Sequence, residues 1–323
     1  MKICLLNQIL TGEIGFNNFK TYKNYIFTSQ RNGIIYKIEK NGKIIKTIQV
    51  DNTYPADISD LEINENKIYL TTRSGKFIIL KDEEKLLEIK IKPSISKPTI
   101  FKNYIYISTL SGWVYKLNLE GKVLDSLFIG GPIWTSPIIF NNYLIFANSS
   151  GIFLINENET KQIEISNFDG NIFSQPVIYN NKLFILTEKG KIYCYDQNFK
   201  KCFEHQVIIN DRKPRILSNF KIEEDNIYLI DKEGNFIKVS LKENKILCHK
   251  KLEGFFHYSN AILSINNYLI TSSLEGDIYL ISKNCEIINK VKISQMIGSI
   301  SVYDDKIYIN SEGFINIAGL CGF

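Results

Sequence analysis

Short apolar runs separated by polar turns fill the chain from end to end, and one pattern recurs eight times: an apolar strand, a turn ending in glycine, a second apolar strand. It appears as NYIFTSQRNGIIYKI, NKIYLTTRSGKFIIL, NYIYISTLSGWVYKL, NYLIFANSSGIFLIN, NKLFILTEKGKIYCY, DNIYLIDKEGNFIKV, NYLITSSLEGDIYLI and DKIYINSEGFINIA. The turn glycines are Gly33, Gly75, Gly112, Gly151, Gly190, Gly234, Gly276 and Gly313, 37 to 44 residues apart with a mean of 40. A tight hairpin needs a residue at positive φ, which glycine adopts without steric cost.

Most repeats carry a further strand before the hairpin (SKPTIFKN, TSPIIFNN, SQPVIYNN) and another after it (EKNGKIIKTIQV, LNLEGKVLDSLFI). Each repeat thus has four strands, A to D. Strands B and C are apolar on both faces, as in Tyr104, Ile105, Tyr106 and Ile107, which suits a sheet sandwiched between neighbouring sheets. Four-stranded units of about forty residues form a propeller. The sequence therefore predicts an all-β fold: a single eight-bladed β-propeller of four-stranded antiparallel blades spanning residues 1–323. The last repeat ends at FINIAGLCGF without a strand D, and KICLLNQIL precedes the first strand A. Residues 1–10 are expected to complete the last blade beside residues 314–319, closing the fold by N-terminal strand pairing. Pro55, Pro93, Pro98, Pro132, Pro137, Pro176 and Pro214 all fall between blades or at the start of strand A, where a missing N–H breaks no ladder.

The 323 residues are 44% hydrophobic and 23% charged, with a net charge of +5 from interspersed residues. That is too mild for nucleic acid, which calls for a concentrated basic stripe. No run reaches the roughly 18 apolar residues of a membrane span. The N-terminal MKICLLNQIL has a short apolar stretch interrupted by Asn7 and Gln8 and no small-residue cleavage site, so a cytoplasmic protein is expected. Cys4, Cys194, Cys202, Cys248, Cys285 and Cys321 stand singly, without metal-site spacing, and read as free thiols in a reducing compartment. A turn centred on Asn198 sets Cys194 across from Cys202, again as free thiols.

The blade pattern S-x-P-I-I-F-x-N-x-Y-I-Y-x-S-x-x-G-x-x-Y-x-L-N-x-x-G-K resembles the pyrroloquinoline-quinone-like repeat, most clearly over residues 93–205. That repeat occurs in quinoprotein alcohol dehydrogenases and in the lipoprotein propeller of the outer-membrane assembly machine. The resemblance implies the fold and, for an exported chain, an envelope protein-assembly role. Family repeats end in a tryptophan that docks blade to blade; Lys46 and Asp125 stand at that place here. The neighbouring-cysteine pair and calcium-binding acidic residues of the quinoprotein enzymes have no recognisable counterpart. No cofactor is expected, pyrroloquinoline quinone included.

Aligned blades expose an apolar column ahead of strand A (Phe16, Ile58, Ile95, Trp134, Phe173, Leu217, Tyr258, Ile297). Small polar residues follow it (Asn17, Ser59, Ser96, Thr135, Ser174, Ser218, Ser259, Gly298). Their hydroxyls are expected to bond nearby backbone. One position further on, Asn18, Asp60, Lys97, Ser136, Gln175, Asn219 and Ser299 are expected to surround a channel mouth. The richest connections, DNTYPADIS, NDRKPRILS and KKLEGFFHYS, offer Tyr54, Arg212, Arg215, Phe255, Phe256 and His257. With Trp134 these compose an aromatic and basic patch of the kind favoured at interfaces. The expected function is a non-catalytic scaffold that binds a protein or an acidic peptide segment through inter-blade loops on one face. The alternative is an enzyme (a lyase, a cyclase or a peptide or small-molecule tailoring activity) working at the channel mouth. His205 and His249 fall in strand D and His257 in a loop, with no catalytic spacing.

Overall fold

Every apolar hairpin forms the middle of a four-stranded antiparallel sheet. The computed structural model describes residues 1–156, 160–165, 168–257 and 261–322, with the backbone alone for 160–165. Blade 1 takes Lys20–Tyr22, Tyr25–Ser29, Ile34–Glu39 and Ile44–Gln49 as strands A to D. Blades 2 to 7 repeat this order from Glu62 to Lys90, Thr99 to Phe128, Ile138 to Ile165, Val177 to Gln206, Lys221 to Lys251 and Leu263 to Lys292. Blade 8 takes Ile297–Tyr303, Lys306–Ser311 and Phe314–Cys321 as A to C, and Lys2–Leu10 as D. The protein is an eight-bladed β-propeller whose N-terminal strand completes the last blade. Pro98, Pro137 and Pro176 directly precede strand A of blades 3, 4 and 5, outside every ladder. The strands gather into two compact units, Met1–Arg31 with Tyr36–Thr47 and His205–Phe323, and Asn32–Ile35 with Ile48–Glu204.

Successive side chains of a strand point to opposite faces. In strand B of blade 3, Ile105 and Ile107 join Tyr69, Phe77, Ile79 and Ile91 of blade 2. Tyr106 turns the other way, to Leu144, Phe146 and Phe153 of blade 4. The core is thus a series of layers between blades, and both faces of B and C must be apolar. Strand B contributes a blade-to-blade bond of its own. The hydroxyl of Tyr69 donates to the Leu119 carbonyl in the C–D turn of blade 3 at 3.4 Å. The hydroxyl of Tyr308 in blade 8 donates to the Lys40 carbonyl in the matching turn of blade 1 at 3.2 Å. Burial pushes both phenols above their ordinary pKa.

The turn glycine does more than bend the hairpin. Gly112 lies at φ +80°, and a Cβ there would sit 2.1 Å from the Gly130 carbonyl oxygen. That close approach exists because the residue leaving strand D donates to the turn glycine: Val50 N–H to Gly33, Ile91 to Gly75 and Ile129 to Gly112, each at 2.9 Å. Thr11 N–H donates to Gly313 at 2.9 Å in the same way, so Lys2–Leu10 plays strand D down to its last bond.

Strand D is the least buried of the four, as KIIKTIQ-type sequences require. Its pairing with C breaks register once, leaving an extra residue: Leu6, Leu86, Leu124, Leu247 and Ile288 in blades 8, 2, 3, 6 and 7. Each of these is exposed. A bulge twists a strand, and at an open edge it discourages pairing with another chain.

Reading the cysteines as uniformly free is corrected by the fold. Cys4 of strand D is bonded to Cys321 of strand C in blade 8, with Cα atoms 6.1 Å apart. Cys248, in strand D of blade 6, is bonded to Cys285 in the C–D turn of blade 7, Cα atoms 6.2 Å apart. Single spacing along the chain concealed both pairs, because strand closure joins the first and blade repetition the second. Cys194 and Cys202 are free thiols, as expected.

Candidate functional site

In the Ile48–Glu204 unit, small hydroxyls ahead of strand A bond to backbone groups of their own blade and of the next. Ser59 Oγ donates to the Asp60 carbonyl and accepts from Thr71 N–H, each at 3.0 Å. Ser96 Oγ donates to the Thr135 carbonyl at 3.1 Å. The next column is a run of blade-to-blade bonds. Lys97 N–H donates to Ser136 Oγ at 2.9 Å, and Ser136 N–H to Gln175 Oε1 at 3.0 Å. Gln175 Nε2 returns a bond to the Ser136 carbonyl at 2.7 Å. The Lys97 ammonium pairs with Glu62 at 2.8 Å. Asp60, Lys97, Ser136 and Gln175 are half-buried, and these contacts bind the blades of the unit to one another.

In the other unit, Asn18 is exposed and Asn219 half-buried. Ser299 departs from its expected place at a channel mouth: it is fully buried, and its Oγ donates to the Asn17 carbonyl at 2.7 Å. The cause is a register shift between Ile297 and Ser299, which moves Ser299 into the role Ser96 has in blade 3. Ser218 Oγ donates to the Ile230 carbonyl at 2.8 Å. Tyr258 and Ser259 lie outside the described residues.

The aromatic residues expected in the patch differ in exposure. Tyr54 is 66% exposed. Trp134 is half-buried against Phe173, ring centroids 5.2 Å apart, with its indole N–H buried and lacking an acceptor among the described residues. Phe256, expected in the patch, is 0% exposed and packs with Phe236, Leu252 and Tyr279 between blades 6 and 7. The dipeptide Phe255–Phe256 sends one ring out and one in, and composition alone does not tell which.

Two of the expected loops do meet. The hairpin turn of blade 6 lies between them and bonds to both: Lys232 N–H donates to the Arg215 carbonyl at 2.8 Å, and Phe256 N–H donates to the Lys232 carbonyl at 3.2 Å. Arg212, Lys213 and Arg215 are exposed on one loop and Phe255 half-exposed on the other. Ile209 and Arg212 exchange two backbone bonds of 2.9 and 3.0 Å, and Phe255 N–H donates to Glu275 at 2.8 Å. His257 stacks obliquely with Phe255, centroids 6.2 Å apart, and burial lowers its pKa to about 4. Sequence reasoning missed Lys232, because only the glycine of its turn carries a recognisable signal.

No family model matches the chain, and no curated protein matches it in sequence. Solved structures match in shape. BamB from Moraxella catarrhalis aligns with a TM-score of 0.79 at 13% identity, over 98% of this chain and 100% of that one. The computationally designed Ika8 protein aligns at 0.77 and 11% identity, over 98% and 100%. The quinohemoprotein alcohol dehydrogenase from Comamonas testosteroni aligns at 0.76 and 10% identity, over 99% of this chain and 77% of that one. At such identities the likeness is one of fold, the eight-bladed β-propeller, and fold alone assigns no chemistry.

Proposed function

We propose that this propeller belongs with the pyrroloquinoline-quinone-like repeat proteins and acts as a non-catalytic scaffold, without a cofactor, that binds an acidic, extended segment of another protein. The observation that carries this reading is the pair of loops joined through the Lys232 backbone, one with Arg212, Lys213 and Arg215 exposed and the other with Phe255 half-exposed. Loops fixed by a rigid scaffold are where binding commonly resides, and arginine beside an aromatic ring is a typical anchor pair. The lowered pKa keeps His257 neutral at pH 7, so the positive charge of the surface comes from its arginines and lysines. Fluorescence anisotropy with a labelled glutamate- and aspartate-rich peptide tests the reading. Binding should weaken at least about tenfold in Arg212→Glu/Arg215→Glu and fall steeply with salt. Equal binding by the variant and the parent would refute the surface.

An envelope role, which the repeat resemblance implies for an exported chain, gains support from the two disulfides. Such bonds persist in oxidising compartments and are rare in most cytosols, against the cytoplasmic placement expected above. Fractionation of native cells with an antibody to the chain decides it: recovery with cytosolic markers would rule the envelope role out.

A further inference from the structure

All six cysteines of the chain fall into three neighbouring pairs, and only two of the pairs are bonded. A residue in a folded protein touches about ten others, so a given cysteine meets one of five others by chance roughly one time in six. Three separate meetings that leave no cysteine over are not what random placement gives. The pairs share a location as well. Each includes a cysteine of strand D, the strand with least packing to hold it: Cys4 in blade 8, Cys248 in blade 6 and Cys202 in blade 5.

We propose that Cys194 and Cys202 are a third cystine site, open in this structure, which a disulfide donor closes to tie the outer strand of blade 5 to its neighbour. The Asp196 N–H donates to the Lys200 carbonyl at 3.0 Å, which centres the turn on Asn198 and brings the two cysteines together on adjoining strands. Their side chains are near enough to interact. Cys202 is exposed and Cys194 buried. Burial first, and then the neighbouring Cys202, push the Cys194 thiol well above its ordinary pKa. Cys202 therefore meets the donor first.

The exchange balances in two steps. The Cys202 thiolate attacks one sulfur of the donor, breaking its S–S bond and releasing one donor thiolate. Cys194 then gives its proton to solvent and attacks Cys202 Sγ, expelling the second donor thiolate. The cysteines are oxidised to one cystine and the donor is reduced to two thiols. One face of the bond lies at the surface, so a dithiol can reverse it.

The test uses the folded chain with its other cystines intact. It is incubated with oxidised glutathione, quenched with N-ethylmaleimide, cut with trypsin and mapped without reductant. Trypsin cleaves after Lys200 and Lys201, so only a disulfide keeps the two cysteine peptides together. The expected product is that linked pair, free of glutathione, with amide exchange in Lys201–Gln206 slowed at least about tenfold. Cys194→Ser should instead retain glutathione on Cys202, and Cys202→Ser should yield no adduct. Glutathione retained on Cys202 of the parent, two alkylated thiols, or unchanged amide exchange after linkage would each overturn the proposal.

Discussion

Blade 3 and blade 8 present the same four strands in the same order, but blade 3 is one continuous stretch and blade 8 is assembled from both ends of the chain. Their inner halves are interchangeable. Ile105 and Ile107 of one and Ile307 and Ile309 of the other are all fully buried in inter-blade layers. Their outer strands end on the same bond, Ile129 to Gly112 and Thr11 to Gly313, and carry the same bulge at Leu124 and Leu6. The difference lies in what holds strand D. In blade 3 a turn of a few residues delivers it, Gly121 N–H bonding to Asn118 at 3.0 Å. In blade 8 no turn exists, and a disulfide, Gln8 to Asn316 at 2.9 Å and Ile3 N–H to Asn289 at 3.0 Å take its place. Connectivity lowers the entropy cost of a strand, and side chains must supply what connectivity does not.

The largest expected effect follows from that. Deleting residues 2–10 removes a whole strand and one cystine from blade 8 and touches nothing in blade 3. With a disulfide alone contributing about 2–4 kcal/mol, Tm should fall on the order of 10 °C. A calorimetric scan within a degree or two of the parent would mean that the strand does not close the blade.

The turn glycines sharpen the comparison. Both have positive φ, +80° at Gly112 and +75° at Gly313, but only Gly112 faces a carbonyl oxygen at 2.1 Å; a Cβ on Gly313 meets nothing within 4 Å. Gly313→Ala should cost only the backbone penalty, about 1–2 kcal/mol. Gly112→Ala must also displace the exit of strand D, for a total of about 3 kcal/mol or more. Equal losses in urea melts would show that close approach is irrelevant.

Of the two blades compared, reductant should act on blade 8 only. Breaking Cys4–Cys321 leaves strand D with Ile3 and Ile9 as its buried residues, so amides of Lys2–Leu10 should exchange faster while those of Val123–Phe128 do not change. Hydrogen-exchange mass spectrometry with and without dithiothreitol reads both strands in one experiment.

The eight hairpins were legible because each stage of the pattern has a local cause: doubly apolar strands, a glycine turn, proline outside the ladder. Strand closure was legible by counting. What escaped depends on non-local approach. The pairing of Cys4 with Cys321 follows from the closure itself, although isolated cysteines read as free. Phe256 and Ser299 were misplaced for different reasons: alternation is undefined in a loop, and a one-residue shift at Gly298 changes which side chain faces inward. Tyr69 and Tyr308 bond blade to blade from strand B, so a search for such a contact at Lys46 and Asp125 finds nothing.

The smallest predicted effect concerns one residue. Ser108 and Asn310 occupy corresponding places on strand B. Ser108 Oγ bonds to Ser96 Oγ at 2.7 Å and reaches the Thr135 carbonyl at 3.4 Å. The longer Asn310 amide does the same toward Ser299 Oγ at 3.0 Å and the Asn17 carbonyl at 3.2 Å, and adds Thr28 Oγ1 at 2.8 Å. It ties the last blade to the first where no turn connects strand D. Yet Asn310 Oδ1 is buried without a partner among the described residues, and that offsets part of the gain. Asn310→Ser should therefore cost about 1 kcal/mol, one net hydrogen bond, while Ser108→Ala, which leaves Ser96 bonded to Thr135, should cost no more. If Asn310→Ser were neutral and the deletion of residues 2–10 still severe, the seam would rest on strand D and its cystine, with the buried amide contributing nothing.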